Sequence, residues 1–387
     1  MDLFSYLSLL FPVVIVVVIA LSLGSLVLYG RYAMYSHPAW RVKVWLLYHL
    51  IAIKSLVEDV YFRSRQRVID CSDKTGCVAV VTGGGRGLGY HVVRGLVERG
   101  MHVVVGLRNP LNYKSMGEVV SIYDQFIPFD LVESGQVVLT LDTSSMKSVL
   151  AFALAVRSAH PAIHVLVNNA GQVFGEYEET VDGFENKLAA NYLGHFLLTH
   201  SLMGSLERGG RERGENSRVV NVSSCAHALP GSIQLADMNM RQCYCRLWAY
   251  AHSKLAQVMS IPTTSAKSTF SFQLMFSRHL NRLLSSRGLP IRSSALHPGI
   301  VATNMTQDLK DSMMAPVTKL MKTEAEGALS ALYCALDRAT ELGADYISNM
   351  RERGTSSGSK NVDEQRDLFE LTCKMLNINS FGINTNI

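Results

Sequence analysis

The chain has 387 residues, of which 48% are hydrophobic, with 29 Gly and only 10 Pro. That balance suits a packed core with many tight turns and excludes a largely disordered chain. The net charge of +5 is compatible with an anionic cofactor or a membrane surface, but no Lys/Arg run with interleaved aromatics is present, which argues against nucleic acid as a partner. Length alone permits two average domains or one large α/β domain with appendages. Cysteines at 71, 77, 225, 243, 245, 334 and 373 follow neither a zinc spacing nor a disulfide framework, and they read as reduced thiols facing the cytosol. The 12 histidines show no HExxH or paired spacing, so no metal is expected.

Residues 3–28 carry no charged side chain. At about 1.5 Å per residue, a helix of that length exceeds the ~30 Å hydrocarbon core. The stretch lacks the basic n-region of a cleaved signal peptide and outruns its usual ~7–15 apolar residues, so 1–30 reads as a retained transmembrane anchor. Arg31, Arg41 and Lys43 lie on its C-terminal flank, which places the body of the protein in the cytosol. Residues 31–72 then form a membrane-proximal segment. Within it WRVKVWLLYHLIAIKSLVEDVYF (40–62) suits an amphipathic helix along the interface or a short helix packed on the domain. From 73 to 387 the chain reads as one α/β domain.

CVAVVTGGGRGLGYHVVRGLVERGMHVVVGLRN opens that domain as strand, turn, helix and strand. An apolar run at 78–81 meets glycines, then Val92, Val93, Leu96 and Val97 at helical period, then a second apolar run at 103–105. Glycines 83, 87 and 89 let the backbone approach a pyrophosphate, which would rest on the helix N-terminal amides. Where an acidic residue would bind the ribose of NAD(H), the chain has Gly106, Leu107 and Arg108. Arg108 and Arg86 are either solvated charges or a clamp for a 2′-phosphate, and we read NADP(H) over NAD(H).

TGGGRGLG, with three residues between Gly83 and Gly87, resembles the short-chain dehydrogenase/reductase superfamily. Five further motifs resemble that superfamily in the same order: LDTSS (141–145), NNAG (168–171), NVSS (221–224), YAHSK (250–254) and HPGIVAT (297–303). NYLGHFLLT and a wide Ser-to-Tyr spacing look most like its membrane-anchored, retinol-dehydrogenase-like branch. The resemblance covers roughly 76–348 and implies a single Rossmann-type doubly wound parallel sheet behind the transmembrane helix. It implies cofactor contacts from Gly83, Arg86, Gly87, Leu88, Gly89, Arg108, Asp142, Asn169, Ala170 and Gly171, from Tyr250 and Lys254, and from Pro298, Gly299, Val301 and Thr303. It also implies a catalytic set of Ser224, Tyr250, Lys254 and Asn191, a possible homodimer, and an endoplasmic-reticulum membrane facing the cytosol.

Those residue types suit hydride exchange between an alcohol and a carbonyl. The developing alkoxide needs a proton donor, and Tyr250 can be donor or base if a neighbouring cation lowers a phenol pKa that is ordinarily near 10. Lys254, at i+4, lies on the same helix face. Ser224 would donate to the substrate oxygen, with Ser223 as the adjacent-register alternative, and Asn191 would hold a water. A non-catalytic cofactor-binding scaffold is the competing reading, and it has no need of this set. Met305, Met313, Met314 and Met321 suit either a greasy lid or an ordinary packed helix. With the anchor, the lid favours a lipophilic alcohol, aldehyde or ketone, and the resemblance suggests a retinoid, steroid or polyisoprenoid. RERGTSSGSKNVDEQR (351–366) reads as a polar loop before a short helix near 367–376.

One stretch breaks the pattern. After Lys254 a long helix is expected, yet Pro262 and the Ser/Thr residues around it oppose one. Removing 258–273 joins SKLAQ to LMFSRHLNRLL in helical register. Gln257-Val258-Met259 could be encoded CAG-GTA-ATG and 270–273 TTT-TCT-TTT-CAG, the two ends of an intron. The segment therefore reads as an in-frame intron or as a genuine inserted loop.

Overall fold

The computed structural model describes residues 38–65, 67–110, 136–173, 175–228, 237–241, 244–255, 272–302, 318–340, 346–353 and 362–382. The β-rich apolar runs become β1 (Val78–Thr82), β2 (His102–Leu107), β3 (Gln136–Thr140), β4 (Val165–Asn168), β5 (Ser217–Val222), β6 (Ile291–His297), β7 (Tyr346–Ser348) and β8 (Arg351–Glu352). They form one sheet in the order β3-β2-β1-β4-β5-β6-β7-β8. Every pairing is parallel except β7 with β8. Strand order reverses between β1 and β4, and in open sheets of this kind ligands bind beyond the strand C-termini at that switch point.

The helices cover both faces. On one face Val80, Val104, Leu166 and Val219 meet α3 (Met146–Ala159), α4 (Gly194–Arg213), α6 (Phe272–Ser286) and α8 (Val362–Met375). On the other, Ala79, Val81, Val103 and Val167 meet α2 (Gly87–Val97) and α7 (Glu324–Leu336). The two-residue alternation of a strand sends neighbouring valines to opposite layers, and burial on both sides explains why these strands read as continuous apolar runs. Thr323 and Glu326 close a capping box on α7, and Ser145 caps α3. The C-terminal helix begins at Val362, earlier than its apolar residues suggest. Arg366 pairs with Asp363, Asp367 and Glu370, so polar i,i+3 and i,i+4 contacts carry its first turns.

Helix α1 (Pro38–Arg63) lies against the domain. Its Val44 shares a buried cluster with Ala226, Met240, Trp248, Ala249 and Ala251, and Tyr48 and Ile51 pack on that cluster. Leu46, Leu47 and Leu50 remain exposed on its outer side. The anchor expected at 1–30 lies outside the described residues, and among the described residues no helix is long and apolar enough to cross a membrane. Helix α5 (Arg246–Leu255) carries the YxxxK stretch and packs on α6. The residues between these helices, with nearly all of 258–273, lie outside the described residues, as do Thr303, Met305, Met313 and Met314.

Candidate active site

The glycine turn follows β1 at the switch point. Gly83 has φ +68°, and a Cβ there would come within 2.9 Å of the Ala170 Cα, while a Cβ on Gly89 would lie 2.2 Å from the Gly83 carbonyl oxygen. The turn therefore closes only around glycine. The β4 end is stitched to it: Thr82 Oγ1 accepts from Asn169 N (2.9 Å) and Ala170 N (3.0 Å), and Asn169 Nδ2 donates to the carbonyls of Thr82 (2.9 Å) and Gly83 (3.1 Å). The first turn of α2 carries no acidic residue, so an anion at its N-terminal amides meets no like charge there. Arg86 and Arg108 are exposed beyond the adjacent strands β1 and β2. Gly87 and Leu88 open α2 directly after the turn, and Asp142 forms an Asx turn to Ser144 N (2.9 Å) just before α3. This cradle fits a dinucleotide, with bare backbone for a pyrophosphate and the exposed Arg86 and Arg108 on its rim.

Beyond β5 the four candidate catalytic residues converge. The Ser224 side chain lies beside the Tyr250 hydroxyl, and its Oγ accepts from Ala226 N at 3.2 Å. Ser223 faces away, its Oγ donating to the Lys254 carbonyl at 2.9 Å, so Ser224 is the serine that points at the tyrosine. Lys254 Nζ is buried and donates to the Val222 carbonyl at 3.0 Å. A Cβ on Gly171 would meet Lys254 Nζ at 3.1 Å and Asn191 Oδ1 at 3.2 Å, so this bare glycine is where the lysine and asparagine approach each other. Asn191 lies in a π-helical turn, Ala189–Leu193, directly before α4. Its Oδ1 accepts from Gln172 N (2.7 Å), and its Nδ2 donates to the Gln172 carbonyl (2.9 Å) and to Ser253 Oγ (2.5 Å). Asn221, the acceptor of a nominal glycosylation sequon, is buried in β5 between Asn168 and Ser293.

The electrostatics differ from the sequence expectation in one respect. Burial pushes the Tyr250 hydroxyl up to about 12, with the Ser224 hydrogen bond as the opposing influence. Lys254 stands one helical turn further along α5. The ammonium is turned to the Val222 carbonyl, and desolvation brings its own pKa down to about 8. Burial pushes the neighbouring Cys225 thiol up to about 11.

Sequence reasoning missed a polar clasp between α1 and the end of β6. Ser55 Oγ meets His297 Nε2 at 2.7 Å, and His297 Nδ1 accepts from Cys225 N at 3.1 Å. With Nδ1 accepting, the ring proton sits on Nε2 and is donated to Ser55. Asp59 accepts from Ile300 N at 2.7 Å and pairs with Lys322 at 3.2 Å. Tyr48 packs on the same cluster as Tyr250, and burial, then the nearby Tyr250 and Cys225, drives its hydroxyl far above the phenol range. Pro298, Gly299 and Val301 stand at this clasp. Its partners are more than two hundred residues apart, and the only trace in sequence is a lone acidic pair, Glu58-Asp59, ending an apolar helix.

Residues 77–236 match the family described as short chain dehydrogenase. The chain is 34% identical over 306 residues to a retinol dehydrogenase 12 of Bos taurus, covering 78% of this chain and 87% of that protein. It is 34% identical over 336 residues to a polyprenol dehydrogenase of Danio rerio, covering 85% and 95%. A solved structure of an uncharacterized protein from Mycobacterium Paratuberculosis superposes with TM-score 0.58 at 28% identity, covering 80% of this chain and 96% of that one. The Pseudomonas aeruginosa RhlG/NADP active-site complex shares the fold, with TM-score 0.51 at 22% identity over 70% of this chain and 94% of its own.

Proposed function

The chain belongs to the short-chain dehydrogenase/reductase family and is an oxidoreductase, and from that premise we propose that it exchanges a hydride between NADP(H) and a lipophilic alcohol/carbonyl pair at a membrane surface. The observation that carries the reading is the placing of Tyr250 beside Ser224 at the end of β5, one helical turn from a buried Lys254. A nicotinamide cofactor held along the cradle from Gly83 to Gly171 and on to Pro298, Gly299 and Val301 would supply or accept the hydride. Tyr250 gives its proton to the carbonyl oxygen as it is reduced and takes the hydroxyl proton in the reverse direction. Ser224 donates a hydrogen bond to the same oxygen as charge develops on it. Lys254 has spent one of its three N–H donors on Val222, which leaves it suited to a ribose hydroxyl. Asn191, clamped by Gln172 and Ser253, keeps the π-helical turn open behind the lysine, where a relay water would sit.

Arg86 and Arg108, with no carboxylate after β2, support NADP(H) over NAD(H). The uncharged stretch 3–28 and the exposed Leu46, Leu47 and Leu50 support an anchored enzyme on the cytosolic face of the endoplasmic reticulum. The named relatives then point to a retinoid or polyisoprenoid substrate, with steroids as a third class. Segment 258–273 is proposed as dispensable, because α5 already holds Tyr250 and Lys254 and α6 packs on it from the far side of that stretch.

The test is cofactor oxidation by membranes expressing the chain with and without 258–273, supplied with all-trans retinal, a polyprenal or a steroid ketone and with NADPH or NADH. NADPH-dependent turnover of one of these by the shortened chain is expected. Cofactor binding without turnover of any substrate by either form would refute the proposal.

A further inference from the structure

Helix α1 precedes the dinucleotide fold, yet it sends two buried polar side chains into the active-site end of the sheet. Asp59 is 1% exposed and its partner Lys322, at the entry to α7, 5%. The Asp59 carboxylate accepts from Ile300 N at 2.7 Å, while Lys322 Nζ donates to the Pro298 carbonyl at 3.2 Å and to Asn349 Oδ1 at 2.7 Å. The backbone closes the same clasp, with Lys322 N bonding the Ile300 carbonyl at 2.8 Å and Ala302 N the Lys322 carbonyl at 2.9 Å. Gly299 makes it possible. Its φ is +99°, and a Cβ there would fall 2.7 Å from Lys322 Nζ and 2.8 Å from Asp59 Oδ2.

One helical turn earlier, Ser55 holds His297, which in turn takes the backbone N–H of Cys225, the residue after Ser224. The helix therefore grips both backbones that flank the reacting position. A buried ion pair is an expensive way to gain stability, since the desolvation of two charges offsets most of their attraction. Its direct hydrogen bonds to Ile300 and Pro298 instead fix where the turn 298–301 lies.

We propose that α1 is a positioning element of the active site. Asp59, with Lys322 across the bare Gly299, sets the turn 298–301, and Ser55 through His297 sets the backbone beyond Ser224. The inference rests on reading 298–301 as the turn against the nicotinamide end of the cofactor. Asp59 acts through the backbone and touches neither substrate nor cofactor.

The test compares the full-length wild type, Asp59→Asn, and the double variant Asp59→Asn with Lys322→Gln. The double variant removes both charges while keeping hydrogen-bonding groups, so no unpaired charge is left buried. Turnover is normalised to the number of NADPH sites counted by fluorescence titration, and thermal unfolding is followed in parallel. The double variant is expected to fold, to bind NADPH within about threefold of wild type through the distant glycine cradle, and to show kcat per site lowered about tenfold by a misplaced reacting end. Unchanged kcat per site overturns the proposal, and so does failure of both variants to fold, which would make the pair a stability element alone. A wild type that binds no NADPH would overturn it together with the reading beneath it.

Discussion

The two ends of the active site are built differently. The heart of the dinucleotide cradle is assembled from neighbours in sequence, with β1, its glycine turn and α2 within twenty residues of one another, β2 directly after, and the end of β4 bonded to the turn. The catalytic end is assembled from α1, β5, α5, β6 and the entry to α7, whose residues meet only in the folded sheet. A contiguous cradle needs bare backbone and tolerates no added atoms. A dispersed catalytic end needs many buried polar contacts, each replaceable without breaking the fold or the cofactor cradle. Substitutions should therefore cost cofactor binding or folding at the first and turnover alone at the second.

Gly89→Val breaks the comparison most severely, because its first added carbon already overlaps the Gly83 carbonyl. NADPH affinity should fall more than about 100-fold, or folding should fail. NADPH titration alongside urea unfolding reads either outcome, and near-normal binding would contradict the cradle. Ser224→Ala should lower turnover about 100-fold while NADPH affinity stays within about twofold, as steady-state kinetics and titration will report.

The buried Lys254 gives the next effect. Its folded pKa of about 8 lies below that of a free lysine, ~10.4. Between those values the unfolded chain keeps a proton that the folded chain has released, so stability should rise with pH from about 8 to 10.4 and be flat in this respect below 8. Relative to Lys254→Met, the wild type should gain about 3 kcal/mol over that window in urea unfolding. A parallel profile for the two proteins would contradict the assigned burial. Arg108→Ala is the mildest change, expected to lower the NADPH-to-NADH preference in kcat/KM about tenfold, the value of one charge-assisted contact. An unchanged ratio would leave Arg108 a solvated charge.

What the sequence revealed follows the same division. The β1–α2–β2 unit was legible because apolar periodicity and glycines sit side by side, and YxxxK because a helix places i and i+4 on one face. The reach of Ser224 toward Tyr250 was legible only with the family's order of motifs in hand. The state of Tyr250 was not legible, since the direction in which Lys254 points depends on the Val222 carbonyl and the bare Gly171. Asp59 was invisible for a simpler reason. An acidic residue at the end of an apolar helix looks like a solvated terminus, and its burial is decided by Gly299 and Lys322 far along the chain.

The central claim is that Tyr250 moves the proton while the cradle binds the cofactor independently. The most direct measurement is turnover and NADPH affinity of Tyr250→Phe, a change that removes one oxygen and keeps the ring packed against α1. The account predicts turnover reduced by about 10²–10⁴-fold with NADPH affinity unchanged. Turnover equal to wild type would contradict it.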